Sequence, residues 1–321
     1  MKSTLVLALT VCASVLSSAA SAQTFPSRPV KLIVPFPAGG PTDVQARIVA
    51  QEMGNSLGHS MVVENRAGAG GNVAAEFAAK SSPDGYTVFF ATGGTHGINP
   101  NLYKKPGYDP VRDFDPVIFV ATSPNVFVAH PDFPANTIAE LIAYAKSNPK
   151  QLDYAIAGLG ATTHMSAELL QFMTGIGLQR VVYRGGAQAM NDLVGGHIKL
   201  MVDGLPSALP LIKQGSIKAL GVTSVKRDAS AGDIPAVAET VPGYETTAWY
   251  GLVVPKGTPG EIISALNKSA NTALRSAAVM SRYAELGASP IGGTPEDLER
   301  QINAELKKWA DVVKATGTTI E

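Results

Sequence analysis

The 321-residue sequence has a single cysteine, Cys12. The chain beyond it can therefore build neither a disulfide framework nor a thiol active site. The five histidines, His59, His96, His130, His164 and His197, are scattered. None stands in a His-x-x-x-His or Cys/His grouping, so no metal site of ordinary spacing is expected. A Gly-x-Ser-x-Gly elbow is also missing, and no serine stands in a recognisable nucleophile setting, which argues against a secreted hydrolase. Charge is sparse, at 16% of residues, with 26 basic and 26 acidic side chains. No basic stripe or charge block occurs, so neither nucleic acid nor an anionic membrane surface is an expected partner.

Long apolar runs are confined to the start. Lys2 precedes an apolar core, Leu5 to Leu16, that is too short to span a bilayer. The tract Ser17-Ser18-Ala19-Ala20-Ser21-Ala22 then ends in an Ala-x-Ala-like site. Residues 1–22 read as a secretory signal peptide cleaved after Ala22, so the mature chain is expected to be exported. A lipoprotein is not expected, because Val11 precedes Cys12 where a small residue is needed. About 300 mature residues suffice for one large or two medium domains.

What the chain has in quantity is 32 glycines and 22 prolines, grouped between apolar segments. Strand and helix patterns alternate, which favours an α/β fold with a largely parallel sheet. Val30–Val34 reads as a strand, and Val44, Ile48, Met53 and Leu57 mark one helical face. Phe114–Ala129 is β-rich but interrupted by Pro116 and Pro124, and Ala248–Val254 is a second such stretch. Both are candidate crossings between two lobes. Thr137 with Glu140 has capping-box spacing. Thr258 and Thr294 each precede a proline and read as helix N-caps. Leu298, Ile302, Leu306, Trp309 and Val313 give a long amphipathic final helix. The expected architecture is two α/β lobes joined by two crossing strands: residues 23–124 plus 249–321 in one lobe and 125–248 in the other.

Gly-rich strand-to-helix junctions recur in both lobes, and ligands in open α/β sheets sit at the carboxyl ends of strands beside such loops. The segment "PFPAGGPTD" is the first. Gly40 is expected at N-cap, Pro41 at N1, Thr42 at N2 and Asp43 at N3. The small residues Ala38, Gly39 and Gly40 admit a ligand close to the backbone, and their N–H groups with that of Thr42 can form an anion nest. Asp43 can reach back to the N-cap N–H. Read alone, the stretch fits a ligand-free tight turn equally well. Thr92-Gly93-Gly94-Thr95-His96 offers hydroxyls and N–H groups from the next strand. Gly158-Leu159-Gly160-Ala161-Thr162-Thr163-His164 does so from the second lobe. His96 and His164 read as helix-start histidines bonded to nearby backbone. No loop carries the lysine of a P-loop. A neutral, donor-rich cleft suits a carboxylate. Arg184 is the one cation adjoining a candidate loop, either a ligand contact or half of a surface ion pair. The run Gly68-Ala69-Gly70-Gly71-Asn72-Val73 starts like a dinucleotide fingerprint. Val73 replaces its third glycine and the ribose-binding acid is missing, so no nucleotide cofactor is expected.

Taken together, "PVKLIVPFPAGGPTD", "VVENRAGAGGNVAAE", "SPDGYTVFFAT", "INPNLY", "VVYRGGAQAMNDLVGGHIKLMVDGLPSALPLIKQGSIKALGVTS", "WYGLVVPKGTP" and the final helix resemble the Bug-type solute receptors of tripartite tricarboxylate transporters. The resemblance covers essentially the whole mature length. It implies a two-lobe periplasmic binding protein of type II-like fold, a monomeric, non-enzymatic receptor in the periplasm without a cofactor. Such a receptor closes on a small mono- or dicarboxylate and meets membrane transporter subunits. It further implies that the loop Phe36–Asp43 holds one carboxylate, partly through water, while Gly158–Thr163 and Asp203 face it from the other lobe. Ala161 departs from the serine of many relatives, leaving Thr162 or Thr163 to supply a hydroxyl. The same closure read by a signalling protein is the alternative role.

Overall fold

The computed structural model describes residues 25–149, 151–316 and 319–320. The expected signal peptide and Cys12 lie outside them. Among the described residues no helix is long and apolar enough to cross a membrane.

The chain opens as a parallel α/β unit. Strands β1 (Val30–Val34), β2 (Met61–Asn65) and β3 (Thr87–Thr92) alternate with helices α1 (Pro41–Leu57) and α2 (Asn72–Ala79). β1 pairs in parallel with both β2 and β3. Its Leu32-Ile33-Val34 run is fully buried, because helices cover both faces of a parallel sheet. A single π-type turn, Gly94–Ile98, and the short α3 (Asn99–Leu102) follow β3.

A second α/β unit comes next. It contains β4 (Phe114–Ala129), α4 (Ile138–Ser147), β5 (Asp153–Ile156), α5 (Thr162–Thr174), β6 (Gln179–Val182), α6 (Gly186–Val194), β7 (Leu200–Gly204), α7 (Leu205–Lys213) and β8 (Lys218–Val222). β9 (Thr247–Pro255) then returns to the first unit. It leads into α8 (Gly260–Leu274), α9 (Ala277–Leu286), the short β10 (Ser289–Pro290) and α10 (Pro295–Thr316). The strand order is β2-β1-β3-β9-β4-β7-β5-β6, with β8 and β10 also paired to β4.

β4 joins the two halves. Its residues Phe114–Pro124 run antiparallel to β9, and Asn125–Ala129 pair with β7 and β8. Pro116 and Pro124 do not interrupt it, contrary to the sequence reading. The register shifts at Pro116–Ile118, where a bulge accommodates a residue without an N–H, and Pro124 pairs in register with Thr247 at the start of β9. Apolar cores form separately on either side. One gathers residues from Val30 to Ala121 with Ala248 to Ile302, the other residues from Val126 to Tyr244. A smaller cluster straddles them, where Met165 of α5 packs with Ile98, Leu102, Trp309 and Val313.

Helix ends follow local chemistry. Thr137 Oγ1 accepts from the Glu140 N–H at 3.1 Å, and Asp297 Oδ2 accepts from the Thr294 N–H at 2.7 Å. Thr258 does not cap α8; that helix begins one residue later, after Pro259. The Thr258 hydroxyl donates instead to the Pro255 carbonyl at 2.7 Å, closing a turn before the helix. In α10 Leu298, Ile302, Trp309 and Val313 are buried as the period predicts, and the Trp309 indole N–H donates to Glu305 Oε2 at 2.8 Å. Truncating Trp309 to alanine would cost about 3–5 kcal/mol.

Candidate ligand-binding cleft

The first junction folds around one carboxylate. Gly40 is the extended N-cap of α1, with no side-chain cap, and Pro41 opens the helix, where its missing N–H costs nothing. Gly39 has φ +82°, a conformation suited to glycine. Asp43 is 2% exposed. Its Oδ2 accepts from the Gly39 N–H and from Arg47 Nε, each at 2.9 Å. Its Oδ1 accepts from Asn65 Nδ2 at 2.8 Å, and the same amide donates to the Phe36 carbonyl at 2.9 Å. Burial pushes the Asp43 pKa up, but the bonds from Arg47, Gly39 and Asn65 outweigh it and hold the carboxyl below its usual range. The carboxylate reaches Gly39, one residue before the expected N-cap N–H, because the left-handed turn at Gly39 folds that group back over the helix.

The second junction is locked by its own threonines. The Thr92 N–H donates to Thr95 Oγ1 at 3.1 Å and the Thr95 N–H to Thr92 Oγ1 at 3.2 Å. His96 points away into an aromatic box, 4.9 Å from Phe114 by ring centroids, and burial drives its pKa down to about 3. It is a neutral core residue, with Nδ1 3.1 Å from the Thr95 hydroxyl. In the other half, the Gly160 N–H donates to His164 Nδ1 at 3.3 Å.

Between the halves lies a cavity of about 290 Å³. Four helices begin on it: the N-caps Gly40, Ala161, Gly185 and Gly204 of α1, α5, α6 and α7 all border it. None has a side-chain cap. Their first-turn N–H groups and positive dipole ends therefore remain available to an anion. The halves meet closely. A methyl group placed on Gly185 would stand 3.3 Å from Pro37, and one on Gly204 3.1 Å from Pro41. One on Gly93 would stand 3.0 Å from Trp249 Nε1 and 3.2 Å from Thr162. Beside the cavity, Tyr103 Oη donates across the cleft to the Leu159 carbonyl at 3.3 Å.

Of the residues expected from sequence, Phe36, Ala38, Gly40, Thr42, Thr92, Thr162, Thr163 and Asp203 line this cavity. Gly39, Asp43, Thr95, Gly158 and Gly160 stand behind it and shape the loops. Asn125 on β4 and Trp249 and Tyr250 on β9 also line it, as do Arg184 and Gly185 to Gln188 at the start of α6. Sequence reasoning treated the crossing segments only as connections, and no motif marked their side chains as facing a cleft.

Three buried polar atoms of the lining have no partner among the described residues: Trp249 Nε1, Thr163 Oγ1 and Asp203 Oδ1. Asp203 is 1% exposed, and its second oxygen accepts from the Ser207 hydroxyl. Burial pushes its carboxyl up to about 6, against the bonds from Ser207 and the Gly204 N–H. Burial likewise raises Tyr250, to about 12, so its phenol is a neutral donor. Among the described residues no cluster of three or more His, Cys, Asp or Glu is placed to hold a metal ion. The cleft is suited to holding a small anion among neutral donors.

Comparison with known proteins agrees with this geometry. The family described as "Tripartite tricarboxylate transporter family receptor" matches residues 45–318. Rpa4515 of R. palustris, solved with adipate, is 41% identical with a TM-score of 0.88, over 92% of this chain and 99% of that one. The periplasmic binding protein BugD is 38% identical with a TM-score of 0.88, over 92% of this chain and 100% of its own. MatC from Rhodopseudomonas palustris, with bound malate, is 35% identical with a TM-score of 0.86, over 90% and 100%.

Proposed function

The chain belongs to the Bug-type receptors of the tripartite tricarboxylate transporter family, and from that premise we propose that it captures a small organic carboxylate between its two lobes and delivers it to the membrane subunits of such a transporter. The observation that carries this reading is the convergence of four uncapped helix N-termini, two with a proline in the first two helical positions, on one interlobe cavity. Such an array binds negative charge through dipoles and N–H donors without a resident cation at each contact. The carboxylates bound by two related proteins, adipate and malate, support the ligand class.

On this reading residues 23–124 with 249–321 and residues 125–248 move as two lobes about the crossing strands. The contacting residues are those of the Phe36–Thr42 loop, Thr92, Thr162, Thr163 and Asp203, with Asp43 and Thr95 bracing them. The receptor works as a periplasmic monomer, exported by its signal peptide, and catalyses nothing. Closure removes the ligand from water, strengthening each hydrogen bond to it, and creates a surface for the membrane subunits. Isothermal titration of the purified protein with mono-, di- and tricarboxylates tests this. Micromolar or tighter binding of at least one acid is expected, and no heat from any of them would refute the assignment.

A further inference from the structure

The two charged groups on the cavity are unlike the rest of its lining, and both adjoin the start of α6. Arg184 is exposed at the rim and has no hydrogen bond or ion pair among the described residues. Asp203 lies beneath the same helix start: a methyl group on Gly186 would stand 3.4 Å from Asp203 Oδ1. The two do not pair with each other, and that oxygen has no partner.

A buried carboxylate oxygen without a donor is costly, and an anionic ligand offering only acceptors would add repulsion. A ligand group that answers both residues must present an acceptor to the guanidinium and a donor to the carboxylate. The first-turn N–H groups of α6 reinforce the acceptor side. Where Gly93 meets Trp249 and Thr162, the lining offers only neutral donors, fitting the ligand's other end.

We propose that Arg184 and Asp203 form a selectivity subsite for a carboxylate carrying a hydrogen-bond donor, a hydroxyl or an ammonium, on its α-carbon. The subsite rests on the carboxylate-receptor reading and narrows it. Arg184 takes the carboxylate, and Asp203 Oδ1 accepts from the α-substituent. An acid with a bare α-methylene leaves Oδ1 unpaired and binds more weakly, so discrimination comes as much from what the site rejects as from what it holds.

Two sets of acids with matched skeletons test this by titration calorimetry: succinate, malate and aspartate, and adipate, 2-hydroxyadipate and 2-aminoadipate. In the set that binds, at least one donor-bearing acid is expected to bind about tenfold or more tightly than its parent. Malate or 2-hydroxyadipate in that place identifies the hydroxyl, and aspartate or 2-aminoadipate the ammonium. Asp203→Ala should erase the preference, and the surface change Arg184→Ala should weaken every member of the set by about tenfold. A parent acid that binds as well as both derivatives overturns the subsite while leaving the carboxylate receptor intact. So does a preference that survives Asp203→Ala. Failure of all six acids, with any other carboxylate bound, overturns the subsite alone; failure of every carboxylate overturns both.

Discussion

The Asn65 amide on β2 holds two parts of the α1 junction at once, donating to Asp43 Oδ1 at 2.8 Å and to the Phe36 carbonyl at 2.9 Å. The loop that borders the cavity is thereby tied to a neighbouring strand through a carboxylate that itself never faces the cavity.

Replacing Asp43 with alanine should act on that tie. The Gly39 N–H loses its acceptor, while Arg47, half exposed, is resolvated at little cost. We expect a stability loss of about 1–3 kcal/mol and a roughly tenfold loss of ligand affinity. Urea unfolding and titration calorimetry measure the two. Unchanged affinity beside a normal stability loss would show that the loop is positioned by other means.

Asp203 should make the unliganded protein more stable in mild acid than its neighbours would. Its folded pKa, about 6, lies above the ordinary value of 3.8, so ionisation is penalised in the fold. The penalty is absent below about pH 4, grows as pH rises through 6, and reaches about 2–3 kcal/mol above it. Asp203→Asn removes this one titration. The variant should gain stability relative to the parent at pH 7.5, with the gap closing by pH 4.5. A difference in melting temperature that does not vary with pH would contradict this.

His96 works in the opposite sense. Its folded pKa is depressed to about 3, so the neutral ring contributes stability above pH 6.5 that is lost as pH falls toward 3. The slope from this one group approaches about 1.4 kcal/mol per pH unit. Stability of the parent should therefore fall faster between pH 6 and 4 than that of His96→Leu. Parallel curves for the two proteins would mean that His96 protonates in the folded state.

Gly160 separates closure from folding. It has φ +78°, and a methyl group there would collide with the Asn99 side-chain amide oxygen, Oδ1, across the cleft. Gly175, with φ +70°, has open space around it. Alanine at either position should cost about 1 kcal/mol of stability from backbone strain. Only Gly160→Ala should also weaken ligand binding, by about tenfold or more, and leave the liganded protein larger by small-angle scattering. Equal affinities for the two variants would remove Gly160 from the closure contact.

Much of this was legible because it is local. The β1-to-α1 junction announces itself through Gly40-Pro41, and the capping pairs Thr137 with Glu140 and Thr294 with Asp297 obey fixed spacings. The face of α10 follows from its period, and the alternation of strand and helix gives the class. The Asn65–Asp43 bond joins residues 22 apart whose proximity depends on sheet order, which no spacing encodes. The continuity of β4 past Pro116 depends on a bulge against its partner β9, and past Pro124 on the in-register pair with Thr247. The cavity side chains of Asn125, Trp249 and Tyr250 depend on how two lobes face each other, a relation of whole cores. Arg184 was visible as a lone cation, but that it shares a cavity with Asp203 required β7 to end beneath α6.

Those three residues, Asn125, Trp249 and Tyr250, sit on the two strands that carry the chain from one half to the other. On the proposed reading, the strands that flex on closure also line the cavity that takes the ligand. A substitution there alters taste and posture together: a variant selected for a new acid also inherits a new resting balance between open and shut forms. On that reading, diversification of ligand preference is easier at exposed wall positions such as Ala187 or Gln188, where a side chain can change without resetting the hinge.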